Sequence, residues 1–303
     1  MPKLFKYIGY LIIFVVTFII FLYWLFPYNV LKERVAAAIE EPFGGAVEVS
    51  IGEIEPYYFT GVDISNLAIA SRTEQELLQM IKLDRVRGRA KLFSLLFGKP
   101  DFSFYIKAGK GEISGSVDQL EDGFDLEVDF DEFDVSHIKW LPANLGLQLS
   151  GQIDGGVDLR VDRLRPARTE GSIDISFINL KLADSILKIA GGGFEMPSLV
   201  LTEKRGSRLK LQISKGTALI DMFKFEGGDL ELDMKGKAFL GNSLDNLRLN
   251  ISGSFKVSEK LAKELPFLFI VQKQKQQDGS YPLSVSGRIN SPAIKIGTFT
   301  VPL

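Results

Sequence analysis

The chain has 303 residues, 46% of them hydrophobic, and its 36 Lys and Arg against 38 Asp and Glu give a formal net charge of −2. Nothing in so even a balance points to nucleic acid as a partner. With no Cys and a single histidine, His137, the chain has no disulfide and no thiolate nucleophile or ligand, and most histidine-based metal sites and relays are excluded.

Residues 1–6 carry Lys3 and Lys6, and Tyr7 to Phe26 then reads YIGYLIIFVVTFIIFLYWLF without a charge. About 20 residues at ~1.5 Å each match the hydrocarbon thickness of a bilayer. The run predicts a transmembrane anchor over 7–26, carried by Tyr7, Ile8, Leu11, Ile12, Phe14, Val15, Phe18, Ile19, Leu22, Trp24 and Phe26. The next basic residue is Lys32, so the positive-inside rule places 1–6 in the cytoplasm and everything after Phe26 across the membrane. A cleaved signal peptide has a shorter apolar core and small residues at its exit, whereas bulky residues fill this one.

Residues 27–45 read as a connecting helix and turn: Leu31, Val35, Ala38 and Ile39 share a helical face, and Pro42-Phe43-Gly44-Gly45 ends it. From Ala46 the period becomes two. Val47, Val49 and Ile51 alternate with polar residues, as do Phe102, Phe104 and Ile106, then Phe124, Leu126, Val128 and Phe130. The pattern continues through Leu145, Leu147 and Leu149, through Val157, Leu159 and Val161, and through Ile173, Ile175 and Phe177. It returns at Leu209, Leu211 and Ile213, at Leu230, Leu232 and Met234, and at Leu247, Leu249 and Ile251. Such alternation predicts half-buried strands, and turns such as Glu121-Asp122-Gly123 predict antiparallel hairpins. Two stretches look helical: Leu92 to Gly98, and Ser258 to Gln277, where Ser258 is a candidate N-cap and Pro266 a break. No tract of linker composition divides 46–303, which reads as one all-β domain.

The tripeptide apolar-Ser-Gly recurs at 113–115, 149–151, 251–253 and 285–287. A glycine within a strand marks a bulge or bend, and repeated bends let a long sheet curl. No catalytic constellation emerges. His137 beside Ser136 lacks the orienting acid of a triad, and Asp125, Glu127, Asp129 and Asp131 spread along one strand face instead of converging on a cation. Gly191-Gly192-Gly193 lacks the Lys of a phosphate loop. The cluster Arg160, Arg163, Arg165 and Arg168, interspersed with acids, reads as a solvated hairpin tip.

Several pieces resemble the type II secretion system protein N family, in the form related to AsmA-like proteins. They are the anchor running into Phe26-Pro27-Tyr28, the stretch from Leu92 to Pro100, Gly111-Glu112-Ile113-Ser114-Gly115-Ser116, Leu149-Ser150-Gly151-Gln152-Ile153-Asp154-Gly155, and Pro282 to Pro292. The resemblance implies a single-pass protein of the bacterial inner membrane, its C-terminal domain in the periplasm, serving type II secretion as a non-enzymatic assembly or scaffold subunit alongside other subunits of that system. It carries no catalytic residue, metal or cofactor. The AsmA-like relationship implies an alternative: a long, curled, mainly antiparallel sheet whose apolar inner groove binds membrane lipids for transport or outer-membrane maintenance. The candidate groove-lining residues are Phe102, Phe104, Ile106, Phe124, Leu126, Val128, Leu147, Leu149, Ile173, Ile175, Leu209, Leu211, Leu230, Leu232, Leu249 and Ile251. An open groove and a closed sandwich fit the same alternation.

Overall fold

A computed structural model describes the chain except for residues 1–5, 8, 11–12, 15, 19, 22–27, 42–46, 59, 73–76, 92–93, 95–97, 99–100, 139–140, 143–145, 190–191, 204–205, 241–246, 266–267, 289–290 and 302–303. Of the anchor positions, Tyr7, Phe14 and Phe18 are helical and exposed, while Ile8, Leu11, Ile12, Val15, Ile19, Leu22, Trp24 and Phe26 lie outside the described residues. Among the described residues no helix is long and apolar enough to cross a membrane. The terminating Pro42–Gly45, most of Leu92–Gly98, Leu145, Gly191 and Pro266 also lie outside the description.

Helix α1, Tyr28–Glu40, precedes strand β1, Val47–Tyr57. Next come β2, Gly61–Arg72; β3, Leu77–Ala90; β4, Phe102–Ala108; β5, Gly111–Gln119; and β6, Gly123–Asp134. A 3-10 turn at Val135–His137 leads to β7, Leu149–Asp162, and β8, Glu170–Leu182. Three short strands follow: β9, Ser185–Ile189; β10, Gly192–Met196; and β11, Leu199–Val200. Then come β12, Arg208–Ser214; β13, Thr217–Phe225; β14, Leu230–Phe239; and β15, Arg248–Val257. Helices α2, Glu259–Glu264, and α3, Leu268–Val271, precede β16, Tyr281–Arg288; β17, Ser291–Ile296; and β18, Phe299–Thr300.

Each strand pairs antiparallel with the next, in a 16-stranded sheet running β1 to β8 and then β12 to β18. The chain leaves this order once: β9 and β10 form their own hairpin, and β11 extends the edge of β8 that β12 also occupies. The turns carry the chemistry this requires. Lys215 and Gly216, with φ of 49° and 74°, join β12 to β13 as a two-residue hairpin of the type that demands positive φ at both positions. The outermost strands β1 and β18 do not pair with each other, so the sheet is not closed. Among the described residues the principal strand contacts fall between ladder neighbours.

Both edges are blunted. Glu40 Oε1 accepts the Val49 N–H at 2.7 Å and Lys32 Nζ donates to the Gly52 carbonyl at 2.8 Å, so α1 occupies the free side of β1. These two bonds also orient the helix. It runs antiparallel to β1, with its N-terminal end pointing toward Tyr57. At the other edge β17 carries Pro292 and Lys295, residues that discourage pairing with a further strand.

Three strands change face partway along. Asn66 in β2, Glu132 in β6 and Asn179 in β8 have φ of 53°, 45° and 51°. In each strand the inward apolar positions jump three residues across that point, from Ile64 to Leu67, Phe130 to Phe133 and Phe177 to Leu180. The ladder shifts register beside Glu132 and between Ser150 and Gln152, where Gly151 has φ 131°. The Glu132 N–H is held by Asp154 Oδ1 at 2.6 Å.

The buried core lies at one end of the strands. Leu67, Leu83, Phe133, Val135, Ile153 and Leu180 form one cluster, and Ile138 bridges back to Ile81 over it. The second cluster joins Leu182, Leu199, Phe255 and Tyr281 to the helical insert, whose Leu261 and Val271 are 2% and 1% exposed. Ser258 caps α2 as its sequence position predicts, its Oγ accepting the Leu261 N–H at 3.2 Å, and the helix divides around Pro266. The long connections 135–148, 183–207 and 258–280 all fall at this capped end.

Candidate functional site

Strand register aligns the apolar residues into continuous rows across the sheet. The central row runs Gly88, Phe104, Gly115, Val128, Val157, Ile173 and Leu211, then Ile220, Gly236, Ile251, Val285 and Ile294, each paired with the next. Toward the capped end the adjoining row includes Val86, Ile106, Ile113, Phe130, Ile175, Leu209, Phe223, Met234 and Leu283. Toward the opposite end the row includes Phe102, Val117, Leu126, Leu159, Ile213, Ala238 and Leu249. Every position in the three rows is apolar, glycine or proline. At ~4.8 Å between strands the central row is roughly 50 Å long, and the three rows together are roughly 14 Å deep.

Of the candidate lining residues, Phe102, Phe104, Ile106, Leu126, Val128, Ile173, Ile175, Leu209, Leu211, Leu249 and Ile251 meet in these rows. Phe124 lies one step beyond them, with the Arg163 guanidinium 5.3 Å from its ring centroid. Leu147, Leu149, Leu230 and Leu232 pack instead against the capped-end clusters. Nearly all of the central row is half-buried, and Phe102, at 47%, is the most exposed of the candidates described. Val117, Ile220, Phe223, Val285 and Ile294 were not anticipated, because their membership follows from register and not from local alternation.

Three of the four repeated glycines belong to this face. Gly115 sits beneath the ring of Phe104, where an added Cβ would lie 2.7 Å from Phe104 Cζ. Gly253 and Gly287 occupy equivalent positions between larger neighbours, and Gly151 marks the register shift. A glycine within a strand leaves room for the larger side chain beside it and permits a local bend.

The reverse face is polar and laddered with ion pairs. Arg160 holds Asp125 with two bonds of 2.7 and 2.9 Å, and Arg208 grips Asp174. Asp63 is buried and receives Arg87 at 2.8 Å and Arg85 at 3.1 Å, while Arg87 also lies over the rings of Tyr57 and Tyr105. The hydrogen bond from Arg160 holds the Asp125 carboxyl below its ordinary value, and Tyr105, then Lys107, do the same for Glu112. Asp125, Glu127, Asp129 and Asp131 thus line a strand face, as expected, and His137 sits in the 3-10 turn with its ring tilted on Phe133.

Fold and face together define an open antiparallel β protein with one apolar and one charged surface. Comparison with protein-family models, with curated proteins and with solved structures finds no match to the chain.

Proposed function

We propose that this chain is a membrane-anchored lipid-binding protein whose curled sheet holds acyl chains along its apolar rows. The observation that carries the reading is the uncovered central row from Phe104 to Ile294. A face of this size normally marks a ligand or partner site when no second layer covers it. The glycines interspersed in the rows supply the inward bend of a groove. The apolar segment 7–26 supplies the anchor, and its flanking lysines put the β domain in the periplasm of a bacterial inner membrane.

The test is site-specific photocrosslinking in the full chain. A photoreactive phenylalanine analogue at Leu211, in the central row, should form adducts with phospholipid, and the same group at Lys210, on the reverse face, should not. Equal yields at both positions, or none at Leu211, refute the reading.

A second reading, a subunit of the type II secretion machinery, draws on Phe269 and Ile270. They are 82% and 62% exposed on α3, an apolar pair of the kind a partner protein covers. Purification of the tagged chain should then recover secretion subunits, and the double substitution Phe269→Ser with Ile270→Ser should release them. Recovery of no such subunit by the unsubstituted chain refutes it.

A further inference from the structure

The strand ends opposite the capped end carry a cluster of cations. Arg163, Arg165 and Arg168 lie between β7 and β8, and Lys215 between β12 and β13. Arg248 and Arg288 face each other directly across β15 and β16. Among the described residues none of these six cations is in an ion pair. Like charges directly opposite on neighbouring strands repel, so an anion between or beside Arg248 and Arg288 would stabilise the pair. Of the nearby carboxylates, Asp162 is engaged by the backbone N–H groups of Leu164 and Arg165 at 2.9 and 2.7 Å.

The same end exposes apolar side chains at its rim. Leu164 is 75% exposed between the arginines of the β7–β8 connection, and Phe239 is 45% exposed at the end of β14. Beside them a surface pocket of about 820 Å³ is lined by the cations Arg160, Arg168 and Lys215, by Leu120 and Val161, and by the carboxylates of Glu121, Asp122, Asp162 and Glu170. Cations interleaved with exposed apolar side chains match the interfacial region of an anionic bilayer, where phosphates meet the cations and the apolar tips enter the headgroup layer. The direction of α1 agrees. Its N-terminal end points along β1 toward Tyr57, at this same end, so the chain enters the helix from this side.

We infer that the end of the sheet bearing Arg163, Arg165, Arg168, Lys215, Arg248 and Arg288 docks on anionic phospholipid at the surface of the membrane that anchors the chain, opening the apolar rows toward the bilayer. The inference rests on the anchoring proposed above. It adds which end of the domain faces the lipid and which lipid charge it recognises.

The chain has no Cys, so single cysteines can be placed without background. Leu164→Cys and, at the capped end, Gln272→Cys are each labelled with an environment-sensitive dye. The full chain is reconstituted into vesicles of equal parts phosphatidylglycerol and phosphatidylcholine containing a headgroup-region spin-labelled lipid. The dye at residue 164 should be quenched about threefold or more relative to the dye at residue 272. The excess should fall by at least half in phosphatidylcholine alone. It should fall likewise in the variant carrying Arg163→Glu, Arg165→Glu and Arg168→Glu, whose far-ultraviolet circular dichroism checks that the sheet is retained. A chain that floats with the vesicles yet shows equal quenching at both sites overturns the docking and leaves the anchor standing. Excess quenching that ignores lipid charge overturns the recognition of anionic headgroups. A chain that fails to float overturns the anchor and the docking with it.

Discussion

Leu261 offers the sharpest test of how the capped end is held. The side chain is 2% exposed, inside the cluster formed by Phe255, Tyr281, Ile296 and the helical insert. Replacing it with Ala removes about three buried carbon groups at ~0.8 kcal/mol each. The cavity left behind adds to this, and the better helix propensity of Ala offsets only a few tenths. The expected loss is about 2.5–4 kcal/mol. Phe269→Ala on the adjoining helix is the control: that ring is 82% exposed, so its removal should shift stability by less than about 0.5 kcal/mol. Urea unfolding of the full chain in mild detergent, followed by circular dichroism, measures both. Amide hydrogen exchange over 258–280 shows whether the loss is global or confined to the insert. If Leu261→Ala and Phe269→Ala give the same midpoint and the same exchange, the insert is not a packed cap and the reasoning fails.

Asp229 links the same region electrostatically. It accepts the Val200 N–H at 3.0 Å and the Ser258 hydroxyl at 2.8 Å, in that order the causes that hold its carboxyl below the ordinary value of about 3.9. A lowered carboxyl stabilises the fold above its unfolded value, and that stability is lost as pH falls through the folded value. Acid titration below pH ~4 should therefore be flatter in Asp229→Asn than in the unsubstituted chain. Gly115→Ala should cost about 1–3 kcal/mol in thermal or urea unfolding, because the new Cβ meets both the Phe104 ring and the Glu127 carbonyl. Adding Phe104→Ala should recover only part of this, since the backbone contact remains. Glu40→Ala frees the Val49 N–H on the edge strand, and light scattering should show faster self-association on mild heating.

Much of the sheet was legible because local chemistry and tertiary role coincide. In β6 the alternation from Phe124 to Phe130 was read directly, as was the Ser258 cap. The reading stopped where backbone conformation changes the frame. Glu132 has φ 45°, yet nothing in a glutamate side chain announces it, so the switch from Phe130 to Phe133 stayed hidden. Asn66 and Asn179 tolerate such φ values and were a signal available but unused. Strand β2 escaped notice because its apolar positions change parity at Asn66, and β13 because the register shifts between Ile220 and Phe223. In β3 the inward residues beyond Val86 are Gly88 and Ala90, too small to stand out beside Arg85, Arg87 and Arg89. The face itself was legible only in part. Residues such as Leu211 and Ile251 alternate identically whether a second sheet covers them or not, and only strand register shows which of them share a row.

Because each hairpin is stitched chiefly to the one made just before it, most of the architecture closes short loops in sequence. A topology of this kind has low contact order, in which early segments can settle while later ones are still being made. The one detour, through β9 to β11, must be tucked in before β12 can claim its place along β8. Deletions there should therefore slow assembly of the C-terminal half far more than equal deletions at a simple turn such as Lys215-Gly216. The same plan allows the surface to lengthen by whole hairpins, so that span, and with it the size of whatever is held, is set by counting strands instead of redesigning a core.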